Sequence, residues 1–372
     1  MRPNFRRDQA MLKRDTTFII GAGASYNIGF PLGDNLRDQI IDLLRVDDTH
    51  NRINFRDGTI GRIVQDKAAR EGGTGDWPAR AAAYRQAAAT IRDGLPFARS
   101  IDSFLDGLRG QPEIEFLGKL AIATVILRAE SNSPLAFRKV EAVNSAEIQE
   151  NYLRALLASW HSELGQILYD GHTVETIDHV FDHAAFIIFN YDRCIEEFLT
   201  ISLMRRFAIE RNKAMALVAR CQIIHPYGRV GAFQHGEAHI PFGRFDDDQL
   251  VEVADGIRTF TEAMEDAVGD TVKDMVARAE VLVFMGFGWL PQNMRLLQVG
   301  ERVTNAHDVF ATTMGLAKGE TDVVADQLDE ILRRSDYTAD YENDKLPSAT
   351  FTTEHGDCKA LMRNCWLRLT SR

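Results

Sequence analysis

An apolar run that stops at two closely spaced glycines is the strongest constraint in this chain. Phe18-Ile19-Ile20 leads directly into Gly21-Ala22-Gly23-Ala24-Ser25, and Tyr26-Asn27-Ile28-Gly29-Phe30-Pro31-Leu32-Gly33 follows. Apolar residues closing on a glycine turn read as a parallel strand buried on both faces. The turn feeds a helix that begins near Asp34 and carries Leu36, Ile40, Ile41 and Leu44 at helical spacing. Without a Cβ, Gly21 and Gly23 let backbone amides close on a diphosphate, and the helix N-terminus adds partial positive charge. A nucleotide bound at this strand-to-helix turn and a glycine turn that holds no ligand are both open at this point.

The ordinary dehydrogenase fingerprint G-x-G-x-x-G wants a third glycine where this chain has Tyr26. It also wants an acidic residue at the end of a second strand about 20 residues on. Asp42 stands near that distance, but Ile40-Ile41-Asp42-Leu43-Leu44 reads as helix. A phosphate-binding G-x-x-x-x-G-K-[ST] is absent, because Gly118-Lys119 is followed by Leu120.

At 372 residues the chain can bury a large core, in one elaborate domain or two. A net charge of −11 argues against extensive contact with DNA or RNA backbones, which needs basic faces. The exception is the arm holding Arg2, Arg6, Arg7, Lys13 and Arg14, read as a solvated terminus. The basic start has no apolar segment behind it, and the apolar run around Val281 to Leu290 is too short to span a bilayer. Cys194, Cys221, Cys358 and Cys365 form no CxxC pair, so neither a disulfide framework nor a zinc knuckle is indicated. A cytoplasmic protein is the expectation.

Further strands are expected at 184–189, 222–224, 281–285 and 308–313, and helices at 112–130, 146–168, 193–207 and 323–334. Between Arg52 and Gly171 there is little strand signal. Strands alternating with helices imply an α/β fold, a Rossmann-like and mostly parallel sheet covered by helices on both faces. The chain divides into a nucleotide-binding domain of 15–51 and 172–372 and a helical insertion of 52–171.

Four strands end in polar or glycine-rich turns: Gly21-Ala22-Gly23, Asn190-Tyr191-Asp192, His225 and Gly286-Phe287-Gly288. In an open parallel sheet, ligands bind beyond the carboxyl ends of the strands, so these turns converge on one crevice. Here the chain resembles the sirtuin superfamily, and within it the bacterial antiviral-defence branch of NAD-cleaving enzymes. The resemblance runs from about Thr16 to Thr313. It is carried by Gly21-Ala22-Gly23-Ala24-Ser25 with Gly29-Phe30-Pro31, by Phe189-Asn190-Tyr191-Asp192, by Ile224-His225 and by Gly286-Phe287-Gly288. Ser100-Ile101-Asp102-Ser103-Phe104-Leu105 and the segment Gly118 to Ala123 are similar to the helical portion of that branch.

The resemblance implies NAD as substrate, with no metal. The glycine turn, including Ala22 and Ser25, would hold the diphosphate, and Asp102 would touch the substrate. Asn190 would position the nicotinamide ribose and an attacking water, with His225 as base. Asp192 would orient its turn or meet the nicotinamide amide, and Gly286 and Gly288 would line the adenosine side. Breaking the C1′–nicotinamide bond develops oxocarbenium character, which a neutral amide and a titratable imidazole suit. The chain departs from familiar sirtuins in having Pro226-Tyr227-Gly228 after the histidine, where they place glycine directly. It also lacks the four-cysteine zinc module of deacylating members, and it has Leu32-Gly33-Asp34 where they carry an arginine segment.

Structural alternatives remain beside these roles. Asn190 is a candidate cap for the helix starting at Asp192, Asp102 a candidate cap for Phe104-Leu105, and His225 a candidate loop histidine. His179/His183 and His235/His239 have i, i+4 spacing, but the first pair reads as a solvated turn and Gly236 and Pro241 argue against a helix for the second. Asp246-Asp247-Asp248 reads as a solvated loop. The expected function is NAD+ hydrolysis to nicotinamide and ADP-ribose, depleting NAD during phage infection. The alternatives are an NAD-dependent protein deacylase and a nucleotide-binding regulatory subunit without turnover. The resemblance further implies a homo-oligomer controlled by assembly, with a hexameric DNA-translocase-type ATPase as possible partner and no direct contact with nucleic acid or membrane.

Overall fold

The computed structural model of the chain describes residues 12–47, 54–73, 75–136, 146–233, 240–265, 267–300, 302, 304–332 and 350–370. β1 (Thr16–Ile20) opens the fold, and the helix Gly33–Leu43 follows its glycine turn. A short antiparallel pair, β2 (Val46–Asp47) and β3 (Asn54–Phe55), comes next. The chain then runs through helices from Gly58 to Tyr169 before it returns to the sheet at β4 (Ala184–Ile188). β5 (Gln222–Ile224), β6 (Val281–Met285), β7 (Asp308–Thr312) and β8 (Thr350–Glu354) complete it.

The main sheet has six strands in the order β5-β4-β1-β6-β7-β8, and every pairing is parallel. β1 and β6 are buried along their whole length, as continuous Phe/Ile/Val/Leu runs require when helices cover both faces. This is the Rossmann-like α/β architecture expected from the sequence, and each strand read there falls on an observed one. β8 and the helix Cys358–Thr370 behind it are additions. The helix expected at 323–334 instead occupies Lys318–Ile331, where the Glu320 carboxylate accepts from the Ala317 amide at 2.7 Å and fixes the start.

The pattern expected as one helix over 146–168 is two, Ala146–Ala158 and His161–Tyr169, broken at Ser159-Trp160. The break swings Trp160 inward, where its indole N–H donates to the Ala24 carbonyl at 2.7 Å. The helix Pro112–Asn132 is apolar nearly all round and buried accordingly. Asp246-Asp247-Asp248 is not a free loop: Asp247 accepts from Thr59 at 3.0 Å and from Arg62 at 2.7 Å, joining it to the helix Gly58–Gly72. Among the described residues, no helix is long and apolar enough to cross a membrane.

Candidate functional site

The strand order fixes where a ligand can go. From β1 the sheet grows toward β4 and β5, then crosses back to β6 and grows toward β7 and β8. The reversal lies beside β1, and a crevice opens there at the carboxyl ends of the strands. It holds a cavity of about 670 Å³, a size suited to a small-molecule ligand. Gly21, Ala22, Gly23, Ser25, Asp102, Asn190, Asp192, Gly286 and Gly288 all line it; His225 does not.

The glycines serve a purpose other than the one the sequence suggested. The Gly21 amide donates to Met285 O and the Gly23 amide to Gly286 O, each at 3.0 Å, so neither is open to a diphosphate. The turns after β1 and β6 cross in contact. A Cβ on Gly21 would stand 2.5 Å from Gly286 O, and one on Gly286 would stand 2.1 Å from Ala24 N. Gly286 also has φ of 56°, the left-handed region that glycine enters at little cost. Its amide is held by Thr312 Oγ1 at 2.8 Å. Ala22, at the start of a short 3-10 turn, keeps its amide out of these backbone bonds and faces the cavity. Gly288 has open space where its Cβ would be.

Asn190 follows β4, and its amide nitrogen donates to Gly21 O at 3.1 Å and to Ser25 Oγ at 3.2 Å. Its side chain therefore binds the β1 turn rather than capping the next helix. That task falls to Asp192, whose Oδ1 accepts from the Cys194 amide at 3.0 Å at the start of the helix Cys194–Phe207. Ser25, which accepts from Asn190, and Asp192 both line the cavity beside it. With both amide hydrogens engaged, the Asn190 amide oxygen is left as an acceptor. Burial raises the Asp192 carboxyl above the usual range, against the bonds from Cys194 and Ser25 and the charge of His225.

Asp102 lies in the first turn of the helix Ile101–Gly107 and does not cap it. Ser100 is the cap, accepting from the Ser103 amide at 3.1 Å, and Asp102 is free to face the cavity. Burial, helped by the charge of Asp106 and opposed by a backbone hydrogen bond, pushes its carboxyl up to about 7. The Tyr191 hydroxyl donates to the same carboxyl, which favours the charged form and works against that rise.

His225, expected as the base, sits outside the cavity and beneath the Asn190 turn. Its Nδ1 meets the Asn190 carbonyl at 3.1 Å and its Nε2 meets Glu196 Oε1 at 3.0 Å. Both ring nitrogens are thus directed at protein groups and neither at the cavity. Burial would raise the Glu196 carboxyl, but the charge and hydrogen bond of His225 and the guanidinium of Arg229 hold it at about 2. Tyr227 lines the cavity in its stead, donating to Asn293 Oδ1 at 2.6 Å.

Two groups were not legible as site residues. One is an aromatic wall of Phe189, Tyr227, Phe287 and Trp289, whose rings contact one another at centroid distances of 5.1 to 5.8 Å. The other is Gly356-Asp357-Cys358, delivered by the unexpected β8. The Cys358 thiol is pushed up to about 12 by burial and by Asp357, so it is no nucleophile. Among the described residues the cavity is lined by three carboxylates, Asp102, Asp192 and Asp357, and by no lysine, arginine or histidine.

His179 pairs with Asp182 and His183 with Asp15, each at 2.8 Å, in the turns leading to β4 at the opposite end of the sheet. His235 and His239 lie outside the described residues. Among the described residues no group of three or more His, Cys, Asp and Glu could hold a metal ion, and the four cysteines are free and buried. Comparison of the chain with protein-family models, curated proteins and solved structures found no match.

Proposed function

We propose that the chain is an NAD+ hydrolase that breaks the bond between nicotinamide and ribose. The observation that carries this reading is the polar face of the switch-point cavity. There Asn190, bonded to Ser25, the Asp192 carboxyl and a carboxyl poised near neutrality on Asp102 stand within a lining that has no cationic side chain among the described residues. Such a lining suits a cationic leaving group and a cationic transition state, and disfavours a ligand carrying several uncompensated phosphates. The diphosphate of NAD+ would rest on the Ala22 amide and on the N-terminus of the helix Gly33–Leu43, whose first residue lines the same cavity. The order of motifs resembling the sirtuin defence branch supports the same choice, as an analogy.

In the proposed reaction the C1′–N1 bond breaks and its electron pair goes to the pyridinium nitrogen, releasing neutral nicotinamide. A water oxygen bonds to C1′, and its proton passes to the Asp102 carboxylate. The Asn190 amide oxygen accepts a hydrogen bond from a ribose hydroxyl or from that water. A general base contributes roughly 10²–10⁴-fold to such a step. In a defence setting, acting alone as an oligomer or under an ATPase partner, this chemistry would deplete cellular NAD.

A second reading, nucleotide binding without turnover, is favoured by one observation: His225 is engaged away from the cavity. Incubating the purified protein with NAD+ and chromatographing the products separates the two. Nicotinamide and ADP-ribose are the expected products. NAD+ binding without products selects the second reading, and failure to bind NAD+ overturns both.

A further inference from the structure

The aromatic wall contains one polar group that the fold leaves unanswered. Tyr191 and Tyr227 both direct their hydroxyls to protein acceptors, Asp102 and Asn293. The Trp289 indole N–H has no hydrogen-bond partner, although the residue is only 8% exposed and lines the cavity. An indole nitrogen can only donate, so no change of tautomer or flip of the side chain resolves the mismatch. The ring is held firmly, stacked on Phe284 at 4.9 Å and edge-on to Phe287 at 5.2 Å. Its backbone sits at φ of 52°, a region that non-glycine residues enter only when the surroundings enforce it. A strained backbone therefore holds a buried, unpartnered donor within a residue that lines the cavity.

We propose that the Trp289 N–H is the donor that recognises the leaving group, taking the carboxamide oxygen of the pyridinium ring; this rests on the NAD+ reading above. The wall runs without a break from Trp289 through Phe287, Phe189 and Tyr227 to Tyr191, whose hydroxyl reaches Asp102. A flat cation among these rings gains attraction from their faces and from the carboxylate at the end of the row. The adenosine end, by contrast, falls to the turns of β7 and β8, where Thr312, Gly315 and Asp357 line the cavity. Trp289 thus selects a pyridine that carries a carbonyl at its 3-position over one that lacks it.

The test pairs a change in the protein with a change in the ligand. Binding of nicotinamide and of 3-methylpyridine, which lacks the oxygen, is measured on the wild type and on Trp289→Phe, which keeps a ring but loses the donor. The wild type should favour nicotinamide by about tenfold, the worth of one well-placed hydrogen bond. Trp289→Phe should lose that preference while its affinity for ADP-ribose stays unchanged. In the folded wild type, one of the four indole N–H proton signals should also move downfield with nicotinamide and not with 3-methylpyridine. Equal wild-type affinity for the two pyridines, or no indole shift, overturns the proposal, as does a preference that survives in Trp289→Phe. If the wild type binds neither nicotinamide nor NAD+, it is the NAD+ reading that has failed.

Discussion

The Nε2 of His225 lies 3.0 Å from Oε1 of Glu196, and this pair props the Asn190 turn from below rather than reaching the cavity. Asn190 receives the prop through its backbone carbonyl, 3.1 Å from His225 Nδ1. The helix Cys194–Phe207 supplies Glu196, and the segment after β5 supplies both His225 and Arg229, which shares the same carboxylate oxygen at 3.0 Å. The strand-end turns of β4 and β5 are thereby locked to one helix.

A support and a base respond differently to substitution. His225→Gln keeps a donor for the Asn190 carbonyl and leaves Glu196 paired with Arg229. We expect about 1–3 kcal/mol lost in unfolding free energy, the cost of one unmet buried partner. We expect NAD+ turnover within about tenfold of wild type, far less than the roughly 10²–10⁴-fold that loss of a general base causes. Asn190→Ala, which removes the side chain that faces the cavity, should lose at least 10²-fold by the same comparison. Denaturant melts and nicotinamide release on the three proteins check this; a collapse of turnover in a well-folded His225→Gln would return the histidine to the chemistry.

Asp102 gives the site a pH dependence whose sign follows from its environment. Its carboxyl is pushed up to about 7 from 3.8, chiefly by burial. A base must be unprotonated, so turnover should rise with pH through about 7 and then level. Stability runs the other way. The folded-state value lies above the unfolded one, so this group's contribution is fully present below pH 3.8 and is lost as pH rises through about 7. Asp102→Asn should therefore abolish the rising limb of the rate profile and leave the protein at least as stable as wild type at pH 8. Rate profiles and thermal melts across pH 5 to 9 measure both effects; a limb that persists in Asp102→Asn assigns the titration elsewhere.

Much of the sheet was legible because its central strands are buried on both faces and so are written as unbroken apolar runs, Phe18-Ile19-Ile20 and Val281-Leu282-Val283-Phe284-Met285 above all. β8 was not, because Thr350-Phe351-Thr352-Thr353-Glu354 is a half-exposed edge strand with a single large apolar residue. The identity of the cavity residues was legible as far as strand ends go, since Gly286 directly follows β6 and Asn190 and Asp192 lie in the turn after β4. The direction of each side chain was not. His225 directly follows β5, and in extended chain one step of register changes the face a residue presents. The reason for the glycines was hidden too: the sequence of one turn says nothing of the second turn that crosses it.

That crossing makes two neighbouring glycines behave oppositely. Gly286→Ala puts a Cβ 2.1 Å from the Ala24 amide nitrogen at φ of 56°, where backbone on both sides must move. Overpacking costs about 1–3 kcal/mol and the left-handed backbone about 1–2 more, so we expect a loss of several kcal/mol or no folded protein. Gly288→Ala meets nothing within 4 Å and should change stability by no more than about 0.5 kcal/mol. Its methyl would project into the space by the cavity wall, so an effect on NAD+ affinity without one on stability is the expected signature. Urea unfolding midpoints compare the pair; equal destabilisation would mean that the two turns do not cross as described.

The last prediction concerns Arg193 and Glu130, which join the helix after β4 to the long helix Pro112–Asn132 in the protein interior. Arg193 donates to both carboxylate oxygens, at 3.1 and 2.6 Å, and the two side chains are 1% and 0% exposed. Arg193 also donates to the Ile240 carbonyl at 2.5 Å, so one guanidinium holds the loop beyond β5 as well. Removing one member leaves the other charge buried and unpaired. Arg193→Met or Glu130→Leu alone should cost about 3–5 kcal/mol. Replacing both by apolar side chains of similar volume removes the charge problem, and such swaps are often neutral. The carbonyls of Ile240 and Ala232 would still lose their donor, so the double variant should fall between wild type and the singles. Unfolding free energies of the four proteins form a double-mutant cycle. A double variant no more stable than either single would show that the guanidinium's bonds to the loop, rather than its pairing with Glu130, carry its contribution.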